Sequence, residues 1–144
     1  MVREMKDSGI EWIGEMPKEW KLVPLKYVAS YNDETLGEST NLECEFDYIE
    51  IGSVEYGKGI TKVEHLKFKD APSRARRIVR KDDIIVSTVR TYLKAIADIK
   101  ESDNMQIAST GFMVIRAKGI NPVYLKHSML SESFIGMVEA TQQE

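Results

Sequence analysis

Arg74, Arg76, Arg77, Arg80 and Lys81 fall within eight positions of the stretch "SRARRIVRKDDIIVSTVRTYLK". A short apolar run, the hydroxyl pair Ser87-Thr88 and then Arg90 follow. Cations at this density suit an anion-binding face. The whole chain is acidic, with a net charge of -3. Residues 58 to 94 nevertheless hold eleven Lys/Arg against four Asp/Glu, a net +7 that leaves -10 for the flanks. The alternatives are a solvated charged surface, or arginines that pair with the acidic flanks.

Catalytic patterns are missing. The sequence has no GxGxxG or GxxxxGKS/T phosphate loop and no GxSxG elbow. His65 and His127 lie far apart, without zinc-ligand spacing. "EWK" at Glu19 to Lys21 matches only the tail of a nuclease motif, and Trp20 within it suits a core better. Asp82-Asp83 before a strand fits a turn better than a metal site. Nucleophile, base and oxyanion donors do not assemble, which favours a binding module. A single cysteine, Cys44, excludes an internal disulfide and fits a reducing cytoplasm. The N-terminus has no apolar core of a secretion signal, and no run is long enough for a membrane helix.

The elements that must carry these residues follow from periodicity. The start is extended, with a short strand at Trp20 to Pro24 and a short helix in "PLKYVASY" that buries Leu25, Val28 and Ala29. "NDETLGESTNLECE" is a loop, and "FDYIEIGSVE" a strand ended by Gly52. "YGKGITKVEHLKF" is a Gly-rich turn that continues as a strand or a hairpin arm. "DAPSRARRIVRKDD" holds a turn at Ala71-Pro72, a helical turn and a loop at 81–83. "DIIVSTVR" is a strand buried on both faces, and "YLKAIADIK" is another. "MQIASTGFMVIRAK" is a strand broken at Gly111. After it Asn121 caps a helix that has Pro122 first and Leu125, Met129 and Leu130 as its stripe. A second helix follows from Ser131 or Ser133. The fold class is α+β: one domain with a central, mostly antiparallel or mixed, strongly twisted sheet and helices near both termini.

Three stretches carry a family likeness. "DSGIEWIGEMPKEWKLVPLKYVA" resembles the start of specificity (S) subunits of type I restriction–modification enzymes. "PSRARRIVRKDDIIVSTVRTYLKAIA" is similar to the middle of their target-recognition domain. "ASTGFMVIRAK" with "NPVYLKHSMLSESFIGMVE" is similar to its end. The resemblance implies a non-catalytic domain, residues 1–144, that stops before the spacer helix and binds double-stranded DNA at one half of a bipartite site. It implies modification (methyltransferase) subunits as partners and, through them, restriction subunits. Those partners are expected to use S-adenosylmethionine, ATP and magnesium, with no cofactor in this chain. The alternative is an interaction fragment that contacts a modification subunit or itself through its C-terminal helices.

Within that likeness the candidate residues divide by task. Ser73, Arg74, Arg76, Arg77, Arg80 and Lys81 suit phosphates. Arg90 and Tyr92 suit base edges, sharing a strand face with Thr88 if the strand runs on to Arg90. Ser87, Thr88, Ser109, Thr110 and Lys118 are further candidates, and Tyr56, Lys58 and Lys62 are weaker ones in loops expected to carry specificity.

Overall fold

The computed structural model describes residues 4–7, 15–17, 29–89 and 95–129. Twelve strands and one helix lie in them. In chain order the strands are β1 (Met5–Asp7), β2 (Glu15–Pro17), β3 (Ala29–Tyr31), β4 (Glu45–Ile49), β5 (Val54–Glu55) and β6 (Gly59–Ile60). They continue as β7 (Glu64–Lys67), β8 (Ala75–Val79), β9 (Ile84–Ser87), β10 (Ile96–Asp98), β11 (Gln106–Ser109) and β12 (Phe112–Ala117), and the helix is α1 (Pro122–Met129).

Two four-stranded sheets dominate. One, ordered β10-β9-β12-β3, is antiparallel throughout; the other, β7-β4-β11-β8, is mixed, with β4 and β11 parallel. The pairs β1–β2 and β5–β6 complete the set. The expected mostly antiparallel or mixed α+β architecture is present, with its strands divided between two layers.

Alternation explains the layering. Ile49, Val79 and Ala108 of the mixed sheet meet Ile85, Ala97, Phe112 and Val114 of the antiparallel sheet in one buried cluster. The antiparallel sheet's other face holds Ala29, Ile84, Ile96 and Ile115 against Leu125 and Met129 of α1. Covering both faces accounts for the uninterrupted Ile84-Ile85-Val86 run. Each such side chain stabilises the fold by about 1.5–3 kcal/mol on burial. Phe46, Tyr48, Ala75 and Ile107 face away from the second sheet and pack beneath Leu36, Leu66 and Phe68.

Gly111 breaks the long strand as expected, and its two halves enter different sheets as β11 and β12. A Cβ there would lie 2.7 Å from Ile51 Cδ1, so a larger residue would have to displace the end of that side chain. Asn121 caps α1: its Oδ1 accepts from the Val123 amide at 2.8 Å. Lys126 of the helix reaches Asp98 of β10 at 3.3 Å.

Several expectations are corrected. Ala29 lies in a strand, not a helix, because β12 offers it a ladder partner at Ala117; residues 24–28 lie outside those described. The strand from Phe46 ends at Ile49, not Gly52, because Ile51–Ser53 winds into a 3-10 turn closed by the Ser53 amide on the Glu50 carbonyl. The helical turn expected after Pro72 is strand β8, held on one side by β11 and on the other by residues 34–36. A bulge at its Arg76 interrupts the period of two. Strand β9 stops at Ser87, so the alternation that would align Thr88 with Arg90 ends before either. Trp20 to Pro24, Arg90, Tyr92, Leu130 and the second C-terminal helix lie outside the described residues.

Candidate nucleic-acid interface

The strand directions gather one set of candidates at one end of the two sheets. Ser73 and Arg74 lead into β8, Ser109 and Thr110 leave β11, and Ser87 and Thr88 leave β9. Hydrogen bonds tie these segments together. The Thr110 amide donates to the Arg74 carbonyl at 2.9 Å, and the Thr88 amide to the Gly111 carbonyl at 2.8 Å. The Thr88 hydroxyl donates to the same carbonyl at 3.0 Å. Ser73, Arg74, Thr88 and Thr110 are exposed there.

Two serines at this end are scaffold. Ser109 is buried and accepts from the Gly111 amide at 3.1 Å. Ser87 is buried, and its hydroxyl donates to the Val89 carbonyl. Both hold the loops that present Thr88 and Thr110.

The arginines differ in their surroundings. Arg74 is exposed, with no acidic partner among the described residues. Arg76 is half-buried, its guanidinium 4.7 Å from the centre of the Phe68 ring. Arg77 stands opposite Ala108, on the face turned toward the antiparallel sheet. Its Nε is buried and has no hydrogen-bond partner among the described residues.

Arg80, Lys81 and Lys118 sit at the opposite end. A strand advances about 3.3 Å per residue, which puts Arg80 roughly 20 Å along the chain from Arg74. Arg80 grips Glu34 with two bonds of 2.6 and 2.7 Å. Arg116, which sequence reasoning missed, is the hub of this cluster. It donates two 2.9 Å bonds to Asp83 and one of 3.0 Å to Glu34. Asp83 is 1% exposed and also accepts from the Arg80 amide at 2.9 Å. Nothing local marks Arg116, because Asp83 lies 33 positions away. Lys81 comes within only 3.9 Å of Glu101, and Lys118 is exposed.

Much of the basic segment is therefore neutralised by the acidic flanks. Lys67 and Lys69 share Glu43 at 2.8 and 2.9 Å, and Lys58 meets Glu55 at 3.2 Å. Lys62, Arg74, Arg76 and Arg77 make no ion pair among the described residues and supply the free positive charge of this region.

The Arg80 guanidinium, joined by Arg116 and opposed by burial, lowers the Glu34 carboxyl from 4.5 to about 2. A carboxyl depressed by folding contributes stability above its unfolded value, and that contribution fades as pH falls toward the folded value. The unfolding free energy should therefore decline between pH 4.5 and about 2. In Glu34→Gln this part of the decline should vanish, as urea denaturation across that range would show.

Among the described residues no helix is long and apolar enough to cross a membrane, and no three His, Cys, Asp or Glu side chains are grouped to hold a metal.

No family model matches the chain, and no curated protein matches it by sequence. Solved structures do. The HsdS subunit from Thermoanaerobacter tengcongensis is similar with a TM-score of 0.70 and 34% identity, over 78% of this chain and 29% of that one. A chain solved to explain complex assembly and conformational transition of the type I R-M system is similar with a TM-score of 0.62 and 31% identity, over 78% of this chain and 31% of its own. The present chain thus spans about a third of the length of either.

Proposed function

Since the chain belongs to the specificity subunits of type I restriction–modification systems, we propose that it binds double-stranded DNA and reads one half of a bipartite site. The observation that carries this reading is the sheet end where exposed Ser73, Arg74, Thr88 and Thr110 converge without a neutralising acid among the described residues. Arginine and hydroxyl donors on short loops suit phosphate oxygens, which fix register without reading sequence. Arg90 and Tyr92, which follow Thr88 in the chain, are assigned to bases in this reading from the sequence alone.

In this reading the chain is non-catalytic. Modification subunits and, through them, restriction subunits supply the chemistry, using S-adenosylmethionine, ATP and magnesium. No cofactor is assigned to this chain.

A fluorescence-anisotropy titration of duplex DNA over a range of salt tests the proposal. About three phosphate contacts should give a slope near -3 in log affinity against log salt. A folded chain that binds no duplex even at low salt would refute it.

A second reading is favoured by Val123 and Tyr124, adjacent on α1 and 56% and 58% exposed. There the chain docks a modification subunit or a second copy through its C-terminal region. A strictly monomeric chain that ignores the modification subunit in light scattering and pulldown would remove it.

A further inference from the structure

Beside the sheet end described above lies a cavity of about 240 Å³, lined by Tyr48, Glu50, Ser53, Lys62, Val63 and Glu64. Tyr48 forms part of its wall, is 2% exposed, and has a buried hydroxyl without a hydrogen-bond partner among the described residues. Leaving such a group unsatisfied is costly, which marks this wall of the cavity as polar and imperfectly packed.

The charged groups around it are equally uncommitted. Glu50 precedes the 3-10 turn yet makes no side-chain cap bond. Neither Glu50, Lys62 nor Glu64 has an ion-pair partner among the described residues, whereas Glu34, Glu43, Asp83 and Asp98 all do. The two carboxylates with an ammonium between them in sequence do not suit a metal, because the lysine would repel it.

The position gives the cavity a meaning. Glu50 follows β4 and Arg74 precedes β8, and these strands are two places apart in the mixed sheet. At about 4.8 Å per place they are roughly 10 Å apart, less than the major groove's width of about 12 Å. Both lie at the end where β4 and β11 finish and β8 begins. A carboxylate facing phosphates is repelled. A carboxylate facing an exocyclic amine is a specific acceptor.

We infer that this cavity reads a G·C pair in the major groove, with Glu50 accepting from the cytosine amino group and Lys62 donating to guanine. The two guanine acceptors lie together on one side of that pair and the cytosine donor on the other, which fits one cation beside one carboxylate. An A·T pair sets its amine between two acceptors and fits less well. Glu50 is thus a specificity-determining residue.

This inference rests on the proposed DNA binding, and the test separates the two. Duplexes should be selected from a random library with the full chain and with Glu50→Ala and Lys62→Met. The unaltered chain should fix a G·C pair that Glu50→Ala relaxes by about tenfold or more, leaving the other positions and the salt slope unchanged. Lys62→Met, at an exposed position, should relax the same pair and guards against a folding defect in the first variant. Replacing that cytosine by a pyrimidinone lacking the amine should weaken the unaltered chain but not Glu50→Ala. A selected motif that both variants retain in full, or a sensitive position that proves to be A·T, would overturn the inference alone. Failure of the unaltered chain to enrich any duplex would overturn both.

Discussion

Asp83→Ala should lower the unfolding free energy by about 3–5 kcal/mol, measured by urea denaturation near neutral pH. Asp83 is buried and accepts three charge-assisted or backbone bonds, two from Arg116 and one from the Arg80 amide. Removing it leaves a half-buried guanidinium with, among the described residues, only Glu34 at 3.0 Å and Asp33 at 3.8 Å. It also opens the β8–β9 turn, where Asp82 already adopts a φ of 72°. The Arg116 bond crosses from that turn to β12, so the loss reaches both a local turn and a long-range link. Asp83→Asn keeps an acceptor for the Arg80 amide and should cost about half as much. A loss under about 1 kcal/mol for the alanine variant would mean that the cluster behaves as an exposed ion pair.

Arg74→Ala combined with Arg76→Ala should weaken duplex binding by roughly tenfold to a hundredfold, and equally on every sequence. The salt slope should flatten by about 0.9 for every phosphate that the variant no longer neutralises. Lys81→Ala with Lys118→Ala removes the same charge from the opposite end of the sheets and should leave affinity nearly unchanged. The two double variants have equal net charge, so anisotropy on one duplex distinguishes a localised interaction from a general charge effect. Equal weakening by both would show that only the total charge matters.

Features with a local cause were legible in the sequence. Burial on both faces left Ile84-Ile85-Val86 without polar interruption, Gly111 marked the break between β11 and β12, and Asn121-Pro122 spelled a helix start. The likeness to specificity subunits, read from three short stretches, agrees with the solved structures at 34% and 31% identity. Features that depend on distant partners were not legible. The arginine run reads as one cluster, but an extended strand carries Arg74 and Arg80 to opposite ends. Glu34, far away in the acidic flank, then claims Arg80. The bulge at Arg76 hid β8 by breaking its alternation. Tyr48, Glu50 and Lys62 are spread over fifteen positions of the sequence, and only the folded chain brings them to one cavity.

Amide chemical shifts of the full chain, recorded by NMR as duplex DNA is added, locate the bound face directly. Binding at the proposed end should move the signals of residues 73–77, 88–89 and 109–111, with those of 50–53 and 61–64 beside them, and leave 80–83 and 116–119 in place. Changes centred on 80–83 and 116–119, or no changes at all with DNA in excess, would contradict the assignment of this end of the sheets to DNA.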